Sequence, residues 1–393
     1  MDTRTDLIST PLTEDLVRGA LELEPTPRGV LPHRLPAWAR RYADAQLASA
    51  EAQPSGVRLA FRTRATYLRL ETVPTKQVYV GAPARPDGVY DLVVDGRVTA
   101  QAVATGGDTV TFDLATGSAD LTSGPPATLE FGGLPGHHKE VEVWLPWNER
   151  TELVALWTDA PVEALRGPRR PRWVHYGSSI SHGSNADGPT STWPATAASL
   201  AGVDLLNLGF GGSALLDPFV ARVVRATDAD FISLKIGINL VNTDLLRRRA
   251  LGPAVHGFLD TIRDGHPDTP LLLVSPIACP IHESTPGPSE MDVAALAEGR
   301  LRFRAAGDPA EVVSGKLTLE VIREELADLV RLRAADDPHL GYLDGLELYG
   351  ARDVDDRPLP DDLHPDAATQ RQIGGRFARL AFAGTGVFGG RQP

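Results

Sequence analysis

The spacing of apolar residues changes once along the 393-residue chain, and this change divides it into two parts. Between residues 56 and 163, apolar and polar residues alternate in short runs such as 57–62 and 110–114, separated by Gly, Pro and Asp. Alternation with period two is typical of strands with one buried face, and Asp95-Gly96 is a strong hairpin signal. This part of the chain therefore predicts an antiparallel, jelly-roll-like β-sandwich.

After residue 172 the pattern becomes strand, loop and helix. Five apolar runs are strand candidates: 173–176, 205–208, 231–236, 271–274 and 340–343. Between them, apolar residues recur at helical spacing, as in Val255, Phe258, Leu259 and Ile262. Repeated βα units predict an α/β domain over residues 173–393, with a parallel sheet covered by helices on both faces.

Two further segments complete the expected domain organisation. Residues 1–55 read as a mixed N-terminal segment of short helix and extended chain, because four prolines interrupt the stretch 25–36. Residues 164–172 combine prolines with arginines and are the best candidate for a linker. The stretch 280–299 is long and Pro-rich within the α/β part, which makes it a candidate lid.

Composition excludes several classes of protein. The formal net charge is −12, which disfavours nucleic-acid binding, and 42% hydrophobic residues are typical of a soluble globular protein. No run of eighteen apolar residues that could span a membrane is present, and the N-terminus lacks the features of a secretory signal, so we expect a cytoplasmic protein. Cys279 is the single cysteine, so no internal disulfide can form. It could be a thiol nucleophile, but its place between Ala278 and Pro280 favours a small buried residue.

The run from Trp173 to His182 carries the first chemical signal. It begins as a short apolar strand, breaks at Gly177, and continues into Ser178 and Ser179. Open α/β sheets bind ligands outside the carboxyl ends of their strands, and a serine presented there can act as a nucleophile. The sequence therefore predicts Ser179 as a catalytic serine.

A serine hydroxyl needs a base to become nucleophilic. His364 lies in a loop between the last strand candidate and the last predicted helix, so it too is expected at the carboxyl edge of the sheet. Asp361, three residues earlier, can reach the Nδ1 atom of that ring, whereas Asp362 is expected to point elsewhere. Alone, Asp-x-x-His is a weak signal, because an Asp-rich surface loop explains it equally well.

Acyl transfer also needs hydrogen-bond donors where negative charge develops on the carbonyl oxygen. The glycine-rich stretch 207–213 follows the second strand, and Gly237-Ile238-Asn239 follows the third. The backbone N–H groups of the first stretch and the side-chain amide of Asn239 are the candidates. The alternatives are a simple glycine turn or a dinucleotide loop for the first, although it lacks the Gly-x-Gly-x-x-Gly pattern, and a turn asparagine for the second.

The order Ser179, Gly212, Asn239, His364 resembles the SGNH hydrolases, also called the GDSL lipase/esterase family. The family's four blocks are similar to 177–180, 207–212, 237–240 and 361–364. The resemblance implies a three-layer, flavodoxin-like α/β fold, and an N-terminal β domain such as precedes some SGNH carbohydrate esterases. It further implies Ser179 as nucleophile, His364 and Asp361 as its partners, and an oxyanion hole from Ser179 N–H, Gly212 N–H and Asn239.

The chain departs from the family pattern at Ser178 and Leu240, which take the places of two aspartates. We interpret both, together with His182, as supporting positions that could line the pocket. His175, His182 and His282 lack paired metal-ligand spacing, so no metal site and no cofactor are expected.

These observations predict a serine esterase that acts through an acyl-enzyme on short O-acyl esters, above all acetyl esters, of a carbohydrate or small metabolite. Glycine-rich walls and an acidic surface favour small acyl groups. An acyltransferase, a lipase with residues 280–299 as lid, and a non-catalytic carbohydrate-binding protein on the same fold are the alternatives. The sequence does not indicate an oligomeric state.

Overall fold

The structure, a computed structural model, describes residues 7–81, 83, 85–113, 116–165 and 170–389. The chain forms two compact units. The first comprises residues 1–37, 51–169 and 187–190, and the second comprises 38–50, 170–186 and 191–393. Residues 166–169 of the predicted linker, and Leu114 of one predicted strand, lie outside the described residues.

Fourteen strands are described in the first unit: β1 Ile8–Thr10, β2 Val17–Arg18, β3 Glu22–Pro25, β4 Val30–His33, β5 Arg58–Thr63, β6 Tyr67–Tyr79, β7 Val89–Val94, β8 Arg97–Val103, β9 Asp108–Asp113, β10 Ser118–Thr122, β11 Ala127–Gly132, β12 Lys139–Trp144, β13 Arg150–Thr158 and β14 Val162–Ala164. They form a sheet in the order β10-β9-β6-β13-β4-β3, with β1 on β13 and β11 on β6. The other sheet has the order β14-β5-β12-β7-β8, with β2 on β5.

The predicted alternation is visible in these strands. Every second residue of β11 is buried, and Leu129 and Phe131 join a core with Phe61, Tyr90 and Val143. One pair departs from the antiparallel expectation, since β6 and β9 run parallel. The chain leaves β6 to form the β7–β8 hairpin in the other sheet and then returns in the same direction. The fold prediction of a β domain ahead of a parallel α/β domain is confirmed.

The second unit contains strands β15 Arg172–Gly177, β16 Asp204–Gly209, β17 Phe231–Lys235, β18 Leu271–Val274, β19 Ser289–Met291, β20 Phe303–Ala305 and β21 Leu340–Leu343. Five of them form a fully parallel sheet in the order β16-β15-β17-β18-β21. From β15 the chain adds β16 on one side of the sheet, and it then adds β17, β18 and β21 on the other side of β15. Such a switch point opens a crevice at the carboxyl ends of the strands.

The α-helices are α1 Ala37–Arg40, α2 Ala45–Ala52, α3 Ser179–His182, α4 Trp193–Ala201, α5 Pro218–Ala226, α6 Ile238–Asn242, α7 Arg248–Arg263, α8 Val293–Ala297, α9 Leu319–Arg333, α10 Ala351–Asp356 and α11 Ala367–Phe377. Side chains of β15 alternate between two helical layers. Trp173 packs on Trp193 of α4 and Phe377 of α11, whereas Tyr176 packs on Phe258 of α7. The sheet therefore lies between two helical layers, as predicted.

Within the described residues, no helix combines the length and the apolar character that crossing a membrane requires.

Candidate active site

Ser179 is the first residue of α3, immediately beyond the carboxyl end of β15. Gly209, at the end of the neighbouring strand β16, allows this helix to lie directly against the sheet, because a Cβ there would be 2.5 Å from the backbone nitrogen of His182. The buried Asn207 side chain holds the same helix by donating to the carbonyl of Ser181 over 2.8 Å. Strand, glycine and asparagine together fix the position of the serine.

Ser179, His364 and Asp361 lie in a hydrogen-bonded chain. The Oγ atom of Ser179 is 2.9 Å from Nε2 of His364, and Nδ1 of His364 is 2.8 Å from Oδ2 of Asp361. Since a carboxylate only accepts, Nδ1 carries a proton, and in the neutral form of the ring Nε2 is the atom that accepts from the serine hydroxyl. This is the arrangement in which an imidazole can remove the proton of a serine.

The Asp361 carboxylate is held as an anion. Its Oδ1 atom accepts the backbone N–H groups of Leu363 at 3.0 Å and His364 at 2.6 Å. Burial tends to raise the pKa of Asp361, but the hydrogen bonds and charge of His364 and the backbone donors outweigh it and leave the pKa below its ordinary value. Asp362 points elsewhere, as expected, because both its carboxylate oxygens accept from Arg302 at 2.6 Å.

Three hydrogen-bond donors have no protein acceptor among the described residues and belong to the predicted oxyanion group. The Ser179 N–H begins a helix, so no carbonyl one turn earlier can accept it. The Gly212 N–H lies in the glycine loop, and a Cβ on neighbouring Gly211 would be only 3.9 Å from the Cβ of Ser179. Asn239 accepts the N–H of Ala214 at 3.1 Å through Oδ1, which leaves its Nδ2 group to donate.

Several polar contacts around Ser179 were not anticipated from the sequence. The buried Gln370 side chain of α11 donates to the carbonyls of Ile180 and Ser184. The His175 ring lies between the hydroxyls of Ser181 at 2.8 Å and Ser233 at 2.7 Å. Burial, reinforced by the charge of Lys235, lowers the pKa of His175 well below its ordinary value. A neutral His175 therefore serves as a hydrogen-bonding link beneath α3.

The three predicted supporting residues are all buried. Ser178 precedes Ser179, and its Oγ has no hydrogen-bond partner among the described residues. The His182 ring contacts the carbonyl of Gly209 at 3.0 Å, and Leu240 is fully enclosed in α6. A pocket-lining role for these residues stays a prediction.

The predicted lid segment 280–299 is more regular than its composition suggests. It contains a 3-10 turn, strand β19 and helix α8, and β19 pairs with β20 just beyond it. Glu283 is held by Arg323 at 2.8 Å, and after the segment the backbone N–H of Phe303 donates to the carbonyl of Asp361. The Phe303 ring meets the His364 ring edge to face with centroids 5.8 Å apart. These contacts attach both ends of the segment, and its role as a lid stays a prediction.

Cys279 is 2% exposed, and burial, with the nearby charges of Glu283 and Asp361, raises the pKa of its thiol to about 12. A thiol in that state is a poor nucleophile, because the thiolate is the reactive form. We expect iodoacetamide at pH 8 to leave the native protein unlabelled and to label it once after unfolding in guanidinium. Mass measurement of the intact protein checks both results, and labelling of the native protein would contradict them.

No group of three or more His, Cys, Asp or Glu side chains is arranged to hold a metal ion in the part of the chain that the structure describes.

Comparison with known proteins defines the class of this site. Residues 171–283 match the model of the GDSL-like lipase/acylhydrolase family. No curated protein matches the chain in sequence. The predicted resemblance to the SGNH hydrolases is confirmed over this part of the chain, and the protein is an ester hydrolase.

Solved structures extend the similarity to both units. The chain resembles the salicylyl-acyltransferase SsfX3 from a tetracycline biosynthetic pathway, with 26% identity and a TM-score of 0.73 over 94% of this chain and 95% of that one. A family two carbohydrate esterase from Clostridium thermocellum, solved with cellohexaose, shares the fold at 11% identity and TM-score 0.53, covering 84% and 92%. An acetyl xylan esterase from Butyrivibrio proteoclasticus does so at 9% identity and TM-score 0.51, covering 96% and 98%.

Proposed function

We propose that the protein is a serine esterase in which Ser179 attacks the carbonyl of a short O-acyl ester of a carbohydrate or small metabolite. The observation that carries the proposal is the hydrogen-bonded chain from Ser179 through His364 to Asp361. His364 takes the hydroxyl proton as the Oγ–carbon bond forms, and it returns this proton to the departing alcohol. The acyl group is left on Ser179, and water activated by the same ring releases it as the acid.

The oxyanion of each tetrahedral intermediate would be bound by Ser179 N–H, Gly212 N–H and the Nδ2 group of Asn239. These donors have no protein acceptor among the described residues, so the oxyanion does not compete with a protein group for them. Donors held in place in this way stabilise charge that develops only in the transition state.

The preference for a small acyl group rests on the glycines beside Ser179 and on the acidic, polar composition. Two carbohydrate esterases share the fold, which motivates a carbohydrate substrate. The test is hydrolysis of p-nitrophenyl acetate, octanoate and palmitate. We expect kcat/KM to fall steeply from acetate to palmitate, and intact mass to increase by one acetyl group when acetyl-enzyme accumulates. A preference for palmitate would favour the lipase alternative, and no turnover of any ester with retained carbohydrate binding would favour the binding protein.

Acyl transfer is the second candidate, because the similar structure at 26% identity is an acyltransferase. Both reactions share the acyl-enzyme and differ in whether water or an alcohol removes the acyl group. Turnover of p-nitrophenyl acetate with and without methyl glucoside or glycerol separates them. A hydrolase yields acetate throughout, whereas a transferase yields the new ester and releases p-nitrophenol faster as the alcohol concentration rises.

A further inference from the structure

We propose that Gln46 is a positioning residue that holds the Gly212 N–H in the orientation needed for the oxyanion, an inference that rests on the proposed function above. Gln46 lies in α2, far from the catalytic blocks in sequence, but residues 38–50 belong to the second unit. Its Nε2 group donates to the carbonyl oxygen of Gly211 over 2.9 Å. This hydrogen bond joins α2 to the glycine-rich stretch 207–213, which contains the predicted oxyanion donor Gly212.

The carbonyl of Gly211 and the N–H of Gly212 are two ends of one planar amide group. Because the group is rigid, a hydrogen bond that fixes the direction of the C=O also fixes the direction of the N–H. Accepting a hydrogen bond at the oxygen also polarises the amide and strengthens its N–H as a donor. The Gln46 side chain can therefore act on the oxyanion without touching the substrate.

The conformation of the local backbone makes such a hydrogen bond necessary for holding the Gly211–Gly212 amide in one orientation. Ser213 N–H donates to the carbonyl of Phe210 over 3.1 Å, which closes a four-residue turn with Gly211 and Gly212 at its centre. Gly212 has φ +72°, as the third residue of a type II turn does. A type II turn becomes type I when the central amide rotates by about 180°. Two glycines offer little steric resistance to this rotation, which would replace the donor by a carbonyl oxygen.

Gln46 is held in place by contacts that do not involve its own side chain. Asp44 caps the start of α2 by accepting the N–H of Leu47 at 2.8 Å. The Tyr42 ring lies 5.9 Å from the Phe219 ring, and the Arg222 guanidinium carbon is 5.6 Å from the centre of the Tyr42 ring. The Gln46 side chain is itself exposed, so its replacement is expected to leave folding unchanged.

The test compares Gln46→Met, Gln46→Glu and Gln46→Lys with the wild type, using p-nitrophenyl acetate and thermal unfolding. Gln46→Met preserves length and removes the donor, and we expect kcat to fall about three- to tenfold, with KM and Tm unchanged. The carboxylate in Gln46→Glu repels the Gly211 carbonyl and accepts from the rotated amide, so its loss is larger, up to the roughly 10²- to 10³-fold expected for Asn239→Ala. Gln46→Lys restores a donor and is expected to recover most of kcat relative to Gln46→Met.

Three results would overturn the inference: a wild-type kcat in Gln46→Met, equal losses in Gln46→Met and Gln46→Lys, or a loss confined to KM or accompanied by a lower Tm. Ser179→Ala, measured alongside, distinguishes a failure of the proposed role of Gln46 from a failure of the proposed function. If it abolishes activity while Gln46→Met does not change kcat, only the role of Gln46 is wrong. If Ser179→Ala keeps its activity, the proposed function fails and the role of Gln46 fails with it.

Discussion

Replacing Ser179 by alanine is expected to lower kcat for p-nitrophenyl acetate by roughly 10⁴- to 10⁶-fold while leaving ester binding and Tm unchanged. The Oγ atom is the only part of the side chain removed, and it is the atom 2.9 Å from Nε2 of His364. Without it no acyl-enzyme can form, and the remaining activity comes from the oxyanion donors and bound water. Steady-state kinetics and intact mass check this result.

The effect should be specific to Ser179. Ser178 is the matched control, since it precedes Ser179, is buried and is not hydrogen-bonded to His364. We expect Ser178→Ala to keep kcat within about tenfold of wild type, because it removes no member of the hydrogen-bonded chain. Retained activity in Ser179→Ala, or an equal loss in both variants, would remove Ser179 from the chemistry.

Asp361→Asn is the second large effect, with kcat falling by roughly 10⁴-fold near neutral pH. An asparagine can present an N–H to Nδ1 of His364, which would then move the ring proton to Nε2 and point it at the serine hydroxyl. The imidazolium that forms during attack would also lose its negative partner. The wild-type carboxylate remains ionised throughout the neutral range, because hydrogen bonding and charge hold the pKa of Asp361 below its ordinary value.

The adjacent Asp362 supplies the control. It faces Arg302 and leaves His364 untouched, and asparagine is well suited to its φ of +66°. We expect Asp362→Asn to keep kcat within about threefold of wild type.

The contribution of Asp361 to the stability of the folded protein depends on pH. A lowered pKa in the folded state means that Asp361 adds stability above the pKa of the unfolded chain and that this contribution is lost as pH falls through the folded value. Thermal unfolding from pH 7 to pH 3 should therefore show a smaller pH dependence for Asp361→Asn than for wild type.

The sheet was predictable because buried parallel strands are short, continuous apolar runs. The strands β15, β16, β17, β18 and β21 lie within two residues of the runs read from the sequence. The residues that follow them in the family blocks, Ser179, Gly212 and Asn239, could be identified because the carboxyl ends of parallel strands share one edge. Whether each of them acts in catalysis stays a prediction for the experiments above.

Other features of the structure could not be predicted from the sequence. The strand β19, its partner β20 and the ring contact of Phe303 with His364 occur in a Pro-rich stretch without periodicity. The parallel pairing of β6 with β9 depends on the route of the chain through a second sheet. Gln46 lies in a segment that reads only as helix-forming, and nothing near it in sequence indicates a glycine loop 165 residues away.

What the sequence determined by itself was local: which runs are strands, where glycine permits close approach, and which polar residues follow each strand. These properties depend on periodicity and side-chain chemistry over a few residues, so the local sequence is enough to predict them. The tertiary structure decided the distances at which distant groups meet: His364, expected at the same edge of the sheet, lies 2.9 Å from Ser179, and Gln46 lies 2.9 Å from the Gly211 carbonyl oxygen. The contact of Gln46 with Gly211 depends on how the elements pack against one another, and it leaves no pattern in the sequence around either residue.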